Sequence, residues 1–237
     1  KLVTPITFGE LSGNDVTVDM FAHISKWDVE HIALAKLADL FVVAPATADI
    51  IGKVANGIAD DMLSTTIMAT KAKVLFVPSM NTNMYENPIV QANMEKLRSF
   101  GYEFVEPESG HLACNTSGKG RFPALETIMD CAEKCIYGRD LLKGKKVIVS
   151  AGGTQEKIDP VRYISNRSSG RQGYAIAKAA WMEGADVTLV SCTTALPAPY
   201  GVKMVYVQDA RELEKAMNAE YDSCDAAIMA AAVSDYR

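Results

Sequence analysis

Residues 73–88, KVLFVPSMNTNMYENP, limit what this chain can fold into more than any other stretch. Val74, Leu75, Phe76 and Val77 form a short apolar run of β-favouring residues, the kind buried on both faces of a parallel sheet. Pro78 cannot donate to a ladder and is expected to end the strand. Ser79, Asn81, Thr82 and Asn83 follow, with Met80, Met84 and Tyr85 among them. Asn87-Pro88 then has the chemistry of a helix start, with Asn87 as cap and Pro88 at the first helical position. A strand that hands over to an asparagine-rich loop sets side-chain amides at the carboxyl edge of a sheet. Open α/β sheets bind ligands there.

The chain has room for this architecture twice. Its 237 residues suit one large or two ordinary domains, and 49% hydrophobic with 22% charged residues is a soluble globular composition. No apolar run is long enough to span a bilayer, and no signal peptide is visible. A net charge of −5 without a long basic run argues against nucleic acid as a partner. Anionic ligands are still compatible with it, because loop amides and helix N-termini hold phosphate without a basic surface. The five cysteines (Cys114, Cys131, Cys135, Cys192 and Cys224) show neither disulfide nor zinc spacing, which points to the cytoplasm. Leu2-Val3-Thr4-Pro5 reads as the tail of a strand entering a loop, so an amino-terminal portion is expected to precede Lys1.

Along the chain, residues 16–24 and 29–37 carry apolar residues at helical spacing, with Asp28 a cap for the second helix. His31 lies in that helix's first turn, and most histidines so placed are packing or surface residues. A strand at 40–44 runs into Pro45-Ala46-Thr47-Ala48-Asp49. Residues 50–59 are amphipathic and end near Gly57, Asp60-Asp61 opens a helix through 69, and residues 88–100 form a helix stopped by Gly101. A short strand at 102–105 follows, and 109–121, SGHLACNTSGKGR, reads as a flexible loop. The helix at 123–136 carries Cys131 and Cys135 an i,i+4 step apart, as packing residues.

A boundary at 137–140 separates domains at 1–140 and 141–237. The second opens on a strand at 146–150, then Ala151-Gly152-Gly153-Thr154, and SNRSSGRQG at 165–173 precedes a helix at 174–183. Strands at 187–191 and 204–207, a helix at 210–219 and a buried strand at 226–232 complete it. Strand, Gly-rich turn and helix read as a Rossmann-like nucleotide site, although the spacing is not Gly-x-Gly-x-x-Gly. The expected class is α/β, with two Rossmann-like three-layer domains built on parallel sheets.

Two motif sets carry a resemblance. Pro-x-Met-Asn-x-x-Met-aromatic at 78–85 resembles the substrate-binding motif of the flavin-dependent cysteine decarboxylases, the family of phosphopantothenoylcysteine decarboxylase. His31 falls where that family has its active-site histidine, and residues 45–49 resemble its Pro-Ala-Ser-Ala-Asn motif, with Thr47 for Ser and Asp49 for Asn. GGTQEKIDPVRYISNRSSGRQG and AAVSDYR are close to the signature of phosphopantothenate–cysteine ligase. The chain as a whole resembles the bifunctional enzymes of coenzyme A biosynthesis, a flavodoxin-like decarboxylase domain followed by a nucleotide-binding ligase domain.

The resemblance implies roles. FMN, lying near Pro45, Ala46 and Thr47, would oxidise the thiol-bearing carbon so that the thiocarbonyl takes up the electrons left when CO₂ departs. Asn81 would hold the substrate carboxylate and Met84 would shape the pocket; His31 would act in the oxidative half as base or orienting group. Cys114, on a clamp over the substrate, would donate the proton in the reductive half. In the second domain Asn166 would polarise the acyl group of 4′-phosphopantothenate while CTP, with Mg²⁺, gives an acyl-cytidylate that cysteine's amine displaces. Gly152, Gly153, Ser168, Ser169 and Gly170 would cradle phosphate, and Met229, Ala230, Ala231 and Asp235 would bind cytidine. The family's flavin-phosphate loop would precede Lys1, and its lysine-rich loop would follow Asp235. The family's flavin sites lie between subunits, implying a trimer-based homo-oligomer.

Two rivals belong to other classes. A flavin-binding regulatory module acting by protein binding need not keep His31, Asn81 and Cys114 together. A nicotinamide-dependent oxidoreductase needs an acidic ribose-binding residue after the second strand, and SCTTALP supplies none.

Overall fold

The computed structural model describes residues 3–19, 30–111 and 117–236. The chain divides into two units, Lys1–Ile136 and Tyr137–Arg237.

The first unit opens on helix α1 (Pro5–Ser12), where a strand tail was expected. Thr4 is its cap and Pro5 sits at its start, so the Thr-Pro pair is a helix opening rather than a strand end. Residues 15–19 are not helical, against the expected helix at 16–24; residues 20–29, with Asp28, lie outside the described residues. Helix α2 (Glu30–Leu37) precedes strand β1 (Leu40–Ala46). Helices α3 (Ala48–Ala55) and α4 (Met62–Ala69) then lead to strand β2 (Lys73–Pro78), helices α5 (Thr82–Tyr85) and α6 (Pro88–Ser99), and strand β3 (Glu103–Phe104). β1, β2 and β3 are parallel neighbours in that order.

β2 is the buried strand its sequence predicts. Val74 and Phe76 face a core with Ile50, Ile51 and Val54 of α3 and Met94 and Leu97 of α6. Leu75 and Val77, pointing the other way, are equally buried, so both faces of the sheet are covered. Pro78 closes the strand as its last residue, paired with Ala46. Asn87 caps α6 by accepting from the Ile89 amide at 2.9 Å.

Asp61 caps α4 in a capping box: its Oδ1 accepts from the Ser64 amide at 2.8 Å and Ser64 Oγ answers the Asp61 amide at 3.2 Å. Lys53 pairs with Asp60 and Asp61, each at 2.9 Å. The Ser64 amide first, then Lys53, hold the Asp61 carboxyl down at about 2 from an ordinary 3.8. A carboxyl lowered on folding stabilises the fold above its unfolded pKa and loses that contribution as pH falls through the folded one. Asp61→Ala is therefore expected to cost about 1 kcal/mol at neutral pH. In denaturant melts its deficit against the parent chain should shrink between about pH 4 and pH 2. A pH-independent deficit would show that the carboxylate charge contributes nothing.

Strands β4 (Glu108–His111) and β5 (Ser117–Arg121) form an antiparallel hairpin where a flexible loop was expected. Glycine and serine obscure the alternation that marks a strand, yet they are the residues that let this ribbon lie flat on its neighbour (below). Residues 112–116 lie outside the described residues. Helix α7 (Leu125–Tyr137) follows.

The second unit begins with β6 (Lys146–Ala151) and a small antiparallel ribbon, β7 (Gln155–Lys157) with β8 (Tyr163–Ser165). Helix α8 (Arg171–Met182), β9 (Asp186–Ser191), β10 (Val202–Tyr206), helix α9 (Ala210–Tyr221) and β11 (Ala226–Met229) complete it. The main sheet is parallel throughout, in the order β10-β9-β6-β11. Ile148 packs with Leu213 and Met217 of α9, while Val147 and Val149 are buried on the opposite face. β11 was expected to be buried; it is an edge strand, and all four of its residues are exposed.

Among the described residues, no helix is long and apolar enough to cross a membrane.

Candidate functional site

The carboxyl edge of the first sheet is built from two loops tied together. After β1, Ala46 is fully buried and Thr47 caps α3, its Oγ1 accepting from the Ile50 amide at 3.4 Å. After β2, the Ser79 amide donates to the Ala46 carbonyl at 3.1 Å, which fixes the asparagine loop beside the Thr47 turn. Asn81 caps α5, and its Oδ1 accepts from the Asn83 amide at 2.9 Å. Met84 is 49% exposed.

His31 lies in the first turn of α2. Only Ala38-Asp39 connects α2 to β1, so the helix runs antiparallel to that strand. An eight-residue helix rises about 12 Å against about 23 Å for the seven-residue strand, so α2 alone does not carry His31 to the strands' carboxyl ends. Cys114 lies outside the described residues; the strands on either side of it, β4 and β5, are described. β5 is seated on the asparagine loop: the Met80 amide donates to the Gly120 carbonyl at 3.0 Å. A Cβ on Gly120, whose φ is +138, would meet the Met80 carbonyl oxygen at 2.3 Å, and one on Gly118 would meet Thr82 Oγ1 at 2.4 Å. Those glycines are there because backbone must lie against backbone.

The Pro45–Ala46–Thr47 segment is small and uncharged, and Pro45 and Thr47 are exposed. Such a surface fits the edge of a flat aromatic ring such as a flavin's. Residues 45–49 hold no cation for a flavin phosphate, and Asp49 at the helix start leans to Lys53 at 3.8 Å. The loop fits the ring and not the phosphate.

In the second unit the strands run 3-2-1-4 in chain order, so β6 and β11 flank the point where the winding reverses. Ligands of doubly wound sheets bind at that point, outside the carboxyl ends. The glycines form a split version of the dinucleotide turn. Gly152 has φ +88, and its Cβ would crowd the Thr193 amide at 3.2 Å. Gly170, at φ +78, caps α8 without a side-chain acceptor, leaving first-turn amides of the kind that hold anions. Gly173 brings α8 against β6, since a Cβ there would lie 2.5 Å from that of Ala151. Sequence reading gave Gly173 no role. Its signal was the Gly-x-x-Gly spacing from Gly170.

Opposite this turn, residues 230–234 are stitched to β6. Buried Ser150 Oγ accepts from the amides of Ala230 and Ala231, both at 3.1 Å, and the Ala232 amide donates to Gly152 O at 2.7 Å. Asn166 Nδ2 donates to the carbonyls of Ala232 at 3.1 Å and Val233 at 3.3 Å. Gly152, Gly153, Asn166 and Ala230 to Ala232 thus meet at the switch point, and Ser168 and Ser169 lie just before the α8 cap. Met229 and Asp235 are exposed on either side of the stitched segment. A separate concavity of about 760 Å³ lies between α9 and β11, lined by Leu213, Met217 and Met229 among others. It lacks the glycine turn, so the nucleotide reading stays with the switch point.

Comparison with known proteins gives two family matches. A family profile described as Flavoprotein matches residues 1–137, and one described as DNA/pantothenate metabolism flavoprotein C-terminal domain matches residues 142–237. The chain is 45% identical over 239 residues to the Coenzyme A biosynthesis bifunctional protein CoaBC of Bacillus subtilis, covering 100% of this chain and 59% of that protein. Against the protein of the same name from Vibrio cholerae it is 42% identical over 238 residues, covering 100% of this chain and 59% of that one. The chain therefore spans 59% of the length of these relatives. The solved FMN-dependent cysteine decarboxylase SpaF gives a TM-score of 0.46 at 33% identity, covering 54% of this chain and 70% of that one. The family assignment rests on the sequence matches and not on this likeness.

Proposed function

The chain belongs to the flavoprotein family, and on that premise we propose that its first unit decarboxylates 4′-phosphopantothenoylcysteine to 4′-phosphopantetheine with FMN. The observation that carries the reading is the seating of Asn81 on the sheet's carboxyl edge, joined through Ser79 to the Ala46–Thr47 turn. What FMN supplies when bound is reversible two-electron chemistry, the removal and return of a hydride at the carbon bearing the thiol. Asn81 would donate its side-chain amide to the substrate carboxylate and so orient the bond that breaks. His31 acts in the oxidative half as base or orienting group. The Cys114 thiol gives up a proton to the decarboxylated carbon skeleton, which requires the thiol form at working pH. Met84, half-exposed beside Asn81, packs on the substrate's acyl chain.

The second unit is read as the nucleotide-binding part of a phosphopantothenate–cysteine ligase. A carboxylate oxygen of 4′-phosphopantothenate attacks the α-phosphate of CTP and pyrophosphate leaves; cysteine's amine then attacks the acyl carbon and CMP leaves. Gly152, Gly153 and the amides around Ser168, Ser169 and Gly170 hold phosphate, while Met229, Ala230, Ala231 and Asp235 hold cytidine. Asn166, tied by its Nδ2 to the Ala232 and Val233 carbonyls, would polarise the acyl group only once that nitrogen is released to it. Mg²⁺ accompanies the triphosphate. The protein works as a homo-oligomer, trimeric through its first unit, in the cytoplasm.

Titrating the full-length protein with FMN, followed by quenching of flavin fluorescence, and with CTP and NAD, followed by calorimetry, tests both halves. Saturable FMN and CTP binding without NAD binding is expected. FMN binding with no decarboxylation would favour the regulatory-module alternative, and NAD binding in place of CTP would overturn the ligase reading.

A further inference from the structure

Asn81 begins a helix of four residues, too short to hold its own geometry in water. Its support comes from outside, and two supports converge on one carboxylate. Tyr85, the last residue of α5, donates its backbone amide to the Asn81 carbonyl at 2.9 Å and its hydroxyl to Glu106 Oε2 at 3.0 Å. On the other side of the loop, Gly118 and Gly120 of β5 lie against Thr82 and Met80. Between them Lys119 donates to the same Glu106 oxygen at 2.7 Å, with its Nζ 5.3 Å from the centre of the Tyr85 ring. Arg98 of α6 holds the other oxygen, Oε1, at 2.9 Å and also pairs with Glu95.

Glu106 is thus the point where the far end of α5 and the strand lying on its near end are fastened together. Burial pushes its carboxyl up, but Lys119, Tyr85 and Arg98 outweigh that and leave it below the ordinary value, so the group is an anion at working pH. The side chains of Glu106 and Lys119 are 44% and 43% exposed, so the cluster adds little to global stability. Its effect is local.

We propose that Glu106 is a positioning residue: through Tyr85 and Lys119 it holds the Asn81 loop in the register that reads a substrate carboxylate. The inference rests on the decarboxylase reading above. Loosening the clamp should weaken recognition of the one group Asn81 contacts and leave the rest of the ligand's binding alone. That separates positioning from a general structural role, because 4′-phosphopantetheine lacks the carboxylate and is otherwise the same molecule.

The experiment measures, in the full-length enzyme, KM for 4′-phosphopantothenoylcysteine and the inhibition constant of 4′-phosphopantetheine. Glu106→Gln and Lys119→Met are expected to raise KM about tenfold while the inhibition constant stays within about twofold of the unmodified enzyme. Lys119→Arg, which keeps the pair, should restore most of the KM. Lys119→Met leaves Glu106 bonded to Tyr85 and Arg98, so it serves where Glu106→Gln does not fold. Parallel increases in both constants, or no change in either, would overturn the proposal. No turnover by the unmodified enzyme would overturn the decarboxylase reading and this inference with it, an outcome distinct from parallel changes in an active enzyme.

Discussion

Asn81→Asp is expected to lower kcat/KM for 4′-phosphopantothenoylcysteine by a factor on the order of a hundred, about 3 kcal/mol. The substitution is nearly neutral for the fold. An aspartate caps a helix as well as an asparagine, and its Oδ1 can still accept from the Asn83 amide, as Asn81 does at 2.9 Å. What changes is the other end of the side chain. A pair of amide hydrogens becomes a carboxylate oxygen facing the carboxylate of the substrate, so an attractive contact turns repulsive. The loss should appear mainly in KM, and lowering the pH towards the carboxyl range should recover part of it. Circular dichroism and melting temperature close to those of the parent would show that the loop is intact. A kcat/KM within about threefold of the parent would remove Asn81 from the site.

Cys114→Ser should change which product appears. Serine is a far weaker acid than cysteine, so the steps through CO₂ release proceed while proton delivery stalls. The expected result is CO₂ with the oxidised enethiol form of the product, reduced flavin left behind, and a fall in 4′-phosphopantetheine formation of about 10²- to 10⁴-fold. Mass spectrometry distinguishes the two products by two hydrogens. Normal product at the parent rate would mean that another group supplies the proton.

How far the sequence could be read depended on the range of the interaction involved. Local chemistry was legible. Asn87-Pro88 starts α6, Asp61 caps α4, Gly57 and Gly184 have positive φ beyond helix ends, and VLFV is a fully buried strand. Thr4-Pro5 was misread because the same pair can close an extended segment or open a helix, and only the chain beyond it decides. The β4–β5 ribbon was read as a loop because Ser-Gly-Lys-Gly has no apolar alternation. Its pairing is satisfied across the ribbon, and its glycines answer to Met80 and Thr82, some forty residues away in sequence.

The candidate sites divide along the same line. Asn81 and the Gly152 turn announce themselves by composition. Glu106 does not, because an acidic residue in VEPESG looks like any solvated charge until Tyr85, Arg98 and Lys119 are seen around it. Ser150 was read only as the last residue of a strand at 146–150. Its hydroxyl is buried and holds the two amides of Ala230 and Ala231, which places the segment after β11 at the switch point. Strand order is a long-range property and left no mark in the sequence at all.

Release of CO₂ from carboxyl-labelled 4′-phosphopantothenoylcysteine by the FMN-loaded full-length protein tests the central claim most directly, with 4′-phosphopantetheine quantified in the same reaction. The account predicts the two products in equal amounts, formed over many turnovers, with both falling together in Asn81→Asp. A protein that binds FMN yet releases no label, or an Asn81→Asp variant that releases it as fast as the parent, would contradict it.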